Sequence, residues 1–263
     1  MFHHRIDRDT PSVVIFHWLL LSFLAGSVNA GGLLACGRFV SHMTGFYTLF
    51  GESAANLTWD GAIGLLSIPL CFLIGVMVSA FLVERPIHRG ERPHYILVMS
   101  LVCICLSLSA VLGNLGYFGR FGETHLKSEY LLLALLCVAS GLQNSAVSVA
   151  SGHTVRTTHM TGNTTDLGIG IVRTLCLKRK TGAHEDEVRA VGLRTGIIAA
   201  FAAGSAIGAA LFIRFHYYGF FLPAGIALYT LIWEAYFNYR AIGTGISTLV
   251  FIPKFLRKSN NRV

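Results

Sequence analysis

Six runs of this chain contain no Asp, Glu, Lys or Arg and are long enough to cross a bilayer: residues 12–35, 61–83, 95–119, 130–152, 195–213 and 215–233. A hydrocarbon layer about 30 Å thick needs roughly 20 apolar residues in a helix. Inside it no water pairs with backbone N–H and C=O groups, so each run must satisfy them internally and is expected to be helical. The chain as a whole agrees, with 53% hydrophobic and only 13% charged residues, where a soluble domain carries about a quarter charged. The expected fold class is all-α, a polytopic membrane protein with about six transmembrane helices. In the first run, Ser27-Val28-Asn29-Ala30 resembles a signal cleavage site, but the run is longer than a signal h-region and is read as a retained helix.

The tetrapeptide His42-Met43-Thr44-Gly45 recurs as His159-Met160-Thr161-Gly162, each time after an apolar run. Upstream, Ala25-Gly26-Ser27-Val28-Asn29 aligns with Ser140-Gly141-Leu142-Gln143-Asn144 at an offset of 115, and Gly37-Arg38 with Gly152 and nearby Arg156. Downstream, Gly51 matches Gly168 at the offset of 117 that the tetrapeptides share. A duplication with a small insertion is the reading. It divides the chain into a first three-helix repeat, 1–120, and a second, 121–263, which also holds a linker near 176–192 and a basic C-terminal tail. Because three is odd, each repeat enters and leaves on opposite sides, so the second is expected to be inverted relative to the first.

Seventeen of the 21 Lys and Arg residues fall on alternate loops beginning with the N-terminus; only Arg38, Arg120, Lys127 and Arg214 fall on the others. By the positive-inside rule both termini are cytoplasmic. The net charge of +8 follows from this bias and from a tail beside anionic headgroups, so the expected partner is the lipid bilayer and not nucleic acid. The stretch Lys178 to Arg189 reads as a solvated linker. The six cysteines lack Cys-x-x-Cys spacing and read as small apolar residues. Asn56-Leu57-Thr58 and Asn163-Thr164-Thr165 match a glycosylation pattern by accident, the second lying in a cytoplasmic loop. Gly75 to Ser79 and Gly204 to Gly208 carry the small-residue spacing of helix contacts in lipid.

The residues 37–45 are too polar for lipid and too little charged for a solvated loop, which suggests an interrupted helix. Broken helices expose N–H groups with partial positive charge, a place for an anion or carboxylate. The candidate solute-binding residues are Asn29, Arg38, His42 and Thr44 in the first half, and Asn144, Arg156, His159, Thr161 and Asn163 in the second. Asn29, Gln143 and Asn144 have an alternative role as hydrogen-bonding glue between helices. Glu234, beside Trp233 and Tyr236, reads as interfacial with its carboxylate in water. No catalytic pattern of paired carboxylates, His-Glu-x-x-His or Gly-x-Ser-x-Gly is present, so no enzyme, no metal and no cofactor is expected.

The segments Ala25-Gly26 through His42-Met43-Thr44-Gly45, and Ser140 to Asn144 followed by Thr158-His159-Met160-Thr161-Gly162-Asn163, resemble the YoaK family of bacterial membrane proteins, a domain of unknown function. The resemblance covers nearly the whole chain and implies an inner-membrane protein of about six helices. Phe46 stands where the second copy has Asn163, which puts a symmetric two-sided site in doubt. The expected function is a secondary transporter or permease for a small polar or anionic solute; the competing expectation is a non-transporting scaffold or regulator.

Overall fold

A computed structural model describes residues 10–57, 59–123, 128–179 and 181–243. Arg5, Arg8, Lys127 and the basic C-terminal tail lie outside them. The described residues are helical, without strands: α1 (Ser12–Cys36), α2 (Met43–Ala55), α3 (Trp59–His88), α4 (Tyr95–Asn114), α5 (Ser128–Ala150), α6 (Met160–Cys176), α7 (Gly182–Phe215) and α8 (Phe221–Gly243), with a 3-10 turn, His216–Phe220, joining the last two. Among them, five helical runs are long and apolar enough to cross a membrane, the fifth being the continuous Gly182–Phe237. Straight, that run would measure about 84 Å. It bends at His216, whose φ of 52° breaks the helix, and α8 returns along α1, so that Tyr229 stacks on His17 and Trp233 lies tilted against it.

Helices α1 and α5 form the centre. Within their most apolar windows 61% and 72% of residues are buried, against 22–39% elsewhere, so the other helices sheathe them and present apolar outer faces. The two central helices are antiparallel. Gln143 Nε2 donates to Leu21 O at 2.7 Å, while Gly32, eleven residues further along α1, stands against Leu136, seven residues back along α5.

Each central helix is paired with a parallel neighbour through glycines. On α1, a Cβ at Gly26 would strike the carbonyl of Phe201, and one at Gly204 the carbonyl of Phe23; further up, Gly31 meets Phe212. On α5, a Cβ at Gly141 would strike the carbonyl of Phe72, and one at Gly75 that of Val138. The second crossing repeats the first with constant offsets, 115 between α1 and α5 and 129 between α3 and α7. Only glycine permits backbones to come this close, and the reward is dispersion contact along both helices where lipid offers no hydrophobic drive. The Gly75 to Ser79 and Gly204 to Gly208 segments are therefore packing elements.

Helices α2 and α6, of 13 and 17 residues, are about 20 and 26 Å long and too short to span. After α1 ends at Gly37, in the left-handed region at φ 63°, the chain doubles back along α1 to the level of Asn29. Helix α2 then leads to the start of α3, where Gly64 packs on Tyr130 in the first turns of α5. It thus leaves on the side it entered. The second half repeats this: Gly152 at φ 61° reverses the chain after α5, and α6 leads to α7, whose Gly196 packs on Leu19 near the start of α1. The charged stretch read as a linker over 176–192 is helical from Gly182 onward. Thr181 caps it by accepting from His184 N at 3.3 Å, Glu185 lies in the first turn, and Arg194 and Glu187 pair at 3.5 Å. Acidic residues in a first turn favour the helix dipole, which outweighs the low hydropathy of the segment.

A candidate solute cavity between two helix breaks

Both tetrapeptides begin a short helix in the same way. His42 and His159 are the N-caps of α2 and α6, with φ/ψ of −93°/67° and −92°/65° and no side-chain cap. In both, the imidazole folds back over the glycine three residues on. A Cβ at Gly45 would lie 3.2 Å from His42 Cε1, and one at Gly162 would lie 2.6 Å from His159 Cε1. That contact explains the spacing of His and Gly in the motif: any larger residue at the fourth position displaces the ring.

Each break is fastened to its own central helix by an asparagine. Asn29 Oδ1 accepts from Val40 N at 3.0 Å, Ser41 N at 3.2 Å and Ser41 Oγ at 3.2 Å. Asn144 Oδ1 accepts from Thr158 N at 3.3 Å and Thr157 Oγ1 at 3.4 Å. The N–H groups among these donors are ones that the interrupted helix leaves without intrahelical partners. The half-buried amides therefore act as staples within each half, whereas Gln143 ties α5 to α1. Each asparagine lies three residues, about one turn, beyond the glycine crossing of its helix.

The two breaks face a single cavity of about 690 Å³. Seven pairs of equivalent residues line it: Asn29 and Asn144, Phe39 and Arg156, Ser41 and Thr158, His42 and His159, Met43 and Met160, Thr44 and Thr161, Phe72 and Phe201. The remaining lining is one-sided. On α3 it follows the helical stripe Phe72, Val76, Ala80, Glu84, and beside it stand Ser145, Ser148, Val149 and His153 from α5 and the loop after it. This stripe runs about 18 Å from the crossing to the far end of α3. The matching stripe on α7, Phe201, Ser205, Ala209, Ile213, contributes only Phe201, and Ser205 Oγ is occupied in donating to Gly26 O at 3.1 Å. The cavity extends toward the C-terminal ends of α3 and α5, where His153 and Arg156 are exposed, and not along α7.

Seven of the nine residues singled out from the sequence line this cavity: Asn29, His42, Thr44, Asn144, Arg156, His159 and Thr161. Arg38 does not line it. Asn163 does not either; it is buried, and its Nδ2 donates to Arg156 O at 3.0 Å, fixing the loop that carries Arg156. Its counterpart Phe46 fills the equivalent space with an apolar ring, 3% exposed. A second asymmetry, within the cavity lining, falls seven residues earlier. Arg156 Nη1 lies 3.4 Å from His159 Nδ1, while the residue at the same offset in the first half is Phe39, packed edge-on against His42. The two-residue insertion in the second break brings His153 and Arg156 to the mouth.

A second, smaller cavity of about 50 Å³ lies between α1, α4, α5 and α8, lined by His17, Trp18, Tyr95, Thr230 and Glu234 among others. Glu234 is 9% exposed, so its carboxylate is not in water; α4 and α1 cover the face of α8 that holds it. His17, 5% exposed, was not recognised as a site residue from sequence, because a lone histidine in an apolar run gives no periodic signal. Among the described residues no group of three or more His, Cys, Asp or Glu side chains could hold a metal ion.

No curated protein and no solved structure matches the chain. A family described as a protein of unknown function, DUF1275, matches residues 17–233, a stretch holding both glycine crossings, both breaks and the whole lining of the larger cavity. The chain, a helical protein of membrane-like composition, belongs to the DUF1275 family.

Proposed function

We propose that this protein is a secondary transporter or permease for a small polar or anionic solute, built from two inverted three-helix repeats in a bacterial inner membrane with both termini in the cytoplasm. The crossing helices of the first repeat are α1, α3 and α4, and of the second α5, α7 and α8; α2 and α6 are re-entrant. The observation that carries the reading is that two equivalent helix breaks, entering from opposite ends of the molecule, line one cavity. The antiparallel α1 and α5, their parallel partners, and the constant offsets of 115 and 129 at the two glycine crossings support inversion. Sites of this kind, at the interface of inverted repeats beside broken helices, serve transport by alternating access.

The positive-inside bias favours the ends of α3 and α5 at the cytoplasm, and on that orientation the α3 stripe of the cavity faces inward. By exchange of the two halves, the outward-open state would use Phe201, Ser205, Ala209 and Ile213 as its wall. Single cysteines test both levels. In a cysteine-free background, Asn56→Cys after α2 and Lys178→Cys after α6 react with impermeant reagent from opposite faces of the membrane; reaction from one face rules out inversion. Ala80→Cys reacts from inside at rest, and Ala209→Cys gains reactivity from outside under solute gradients. If Ala209→Cys never changes and vesicles show no uptake for any solute of a metabolite panel, the transport reading fails.

A further inference from the structure

The lining of the larger cavity is specific about the chemistry it would hold. Arg156 has no carboxylate within 4.0 Å among the described residues, and its one polar side-chain contact is the nitrogen of His159. A guanidinium has five N–H donors in a planar fork, so most of them stay available at the cavity mouth. Glu84 is the one acidic residue among those lining the cavity; it stands at the far end of the α3 stripe, 3.8 Å from His88. Deeper in, the lining joins polar pairs, Asn29 with Asn144 and Thr44 with Thr161, to apolar ones: Phe72 and Phe201 mark the two glycine crossings, and Met43 and Met160 open the two short helices. One guanidinium with no carboxylate within 4.0 Å therefore borders a chamber with two aromatic walls, whose volume of about 690 Å³ lies in the range of small-molecule sites.

Taking this cavity as a solute site, as argued above, we propose that its solute is an organic monoanion with a compact, ring-bearing apolar body. The carboxylate or equivalent anion meets Arg156 beside His159, and the body lies between Phe72 and Phe201 against the methionine thioethers. A hydrophilic anion such as phosphate leaves the aromatic walls unused and carries more charge than one guanidinium offsets. A cation meets Arg156 at the mouth. Flexible methionines adapt to bodies of differing outline, which suits a carrier of several related acids.

The test uses the purified full chain in detergent micelles and measures binding of benzoate, cyclohexanecarboxylate, benzyl alcohol, benzylamine, acetate and phosphate by calorimetry. Benzoate and cyclohexanecarboxylate bind in preference to the other four. Arg156→Gln weakens benzoate by roughly tenfold or more, the effect of losing a charge-assisted contact, and leaves benzyl alcohol unchanged. Phe201→Ala weakens benzoate by about tenfold; if that variant does not fold, Phe201→Leu serves, with a smaller loss. Equal binding of benzylamine, tighter binding of phosphate, or benzoate affinity unchanged in Arg156→Gln overturns the assignment and leaves the cavity a solute site. Absence of binding by all six compounds overturns the solute-site reading itself.

Discussion

Removing the amide that fastens the first break tests the account of both breaks together. In Asn29→Ala, the N–H groups of Val40 and Ser41 lose their acceptor, having been held at 3.0 and 3.2 Å. The Ser41 hydroxyl, at 3.2 Å, can rotate to another partner and is left out of the sum. A buried N–H without a partner costs about 1–3 kcal/mol, whereas interhelical hydrogen bonds in membrane proteins average about 0.6 kcal/mol because alternative partners exist. Two orphaned donors therefore set a loss of about 1–6 kcal/mol, the upper part applying if cavity water does not reach them. Asn144→Ala orphans one backbone N–H, that of Thr158, at a longer 3.3 Å, and should cost about half as much. Asn29→Asp, which keeps an acceptor oxygen in place, should recover most of the loss at alkaline pH, where the carboxylate accepts both bonds. Unfolding by SDS titration in mixed micelles, followed by circular dichroism, measures all three. If Asn144→Ala costs as much as Asn29→Ala, or if Asn29→Asp is no better than alanine, the staples are not what holds the breaks.

The glycine crossings make a paired prediction. Gly26→Ala and Gly141→Ala should each destabilise by about 1–3 kcal/mol through overpacking and by nearly equal amounts, since each Cβ meets an equivalent carbonyl; Gly225→Ala, with nothing within 4 Å of its Cβ, should be neutral or slightly stabilising. The same unfolding titration checks this, and a neutral result at Gly26 would contradict the crossing. At the motif itself, Gly162→Ala should disturb the site more than Gly45→Ala, because the added methyl stands 2.6 Å from the His159 ring and 3.2 Å from that of His42. Comparing benzoate affinity in the two variants reads the difference, and a larger effect at Gly45 would refute it.

The legible part of the site was the part written twice. His42 and His159, Thr44 and Thr161, Asn29 and Asn144 stood out because a duplicated break repeats its residues, and these line the cavity. Arg38 was taken for the partner of Arg156 because both follow an aligned glycine, but the second break is two residues longer, and the residue equivalent in place is Phe39. Asn163 looked like a ligand because it is polar and unmatched; its partner, the carbonyl of Arg156, belongs to the backbone and has no sequence signature. Phe72 and Phe201 passed unnoticed among many apolar residues, since nothing in a helix's composition tells whether a ring meets lipid or a cavity.

The sequence by itself determined the class of this protein. Uncharged runs of about 20 residues admit only helices in hydrocarbon, the glycine spacings mark where those helices touch, and the repeated motif marks where two of them break. What only the tertiary structure decided is which helices pair, which break faces which, and along which helices the cavity extends. Those depend on contacts between residues more than a hundred positions apart, such as Gly26 with Phe201 and Gln143 with Leu21, and periodicity within a helix carries no record of its neighbours. The halves are related closely enough in sequence to build the same staple twice, yet the cavity extends along α3 and not along α7. That difference lies in the packing of α3 and α7 against their central helices, in a balance of contacts that no single residue states.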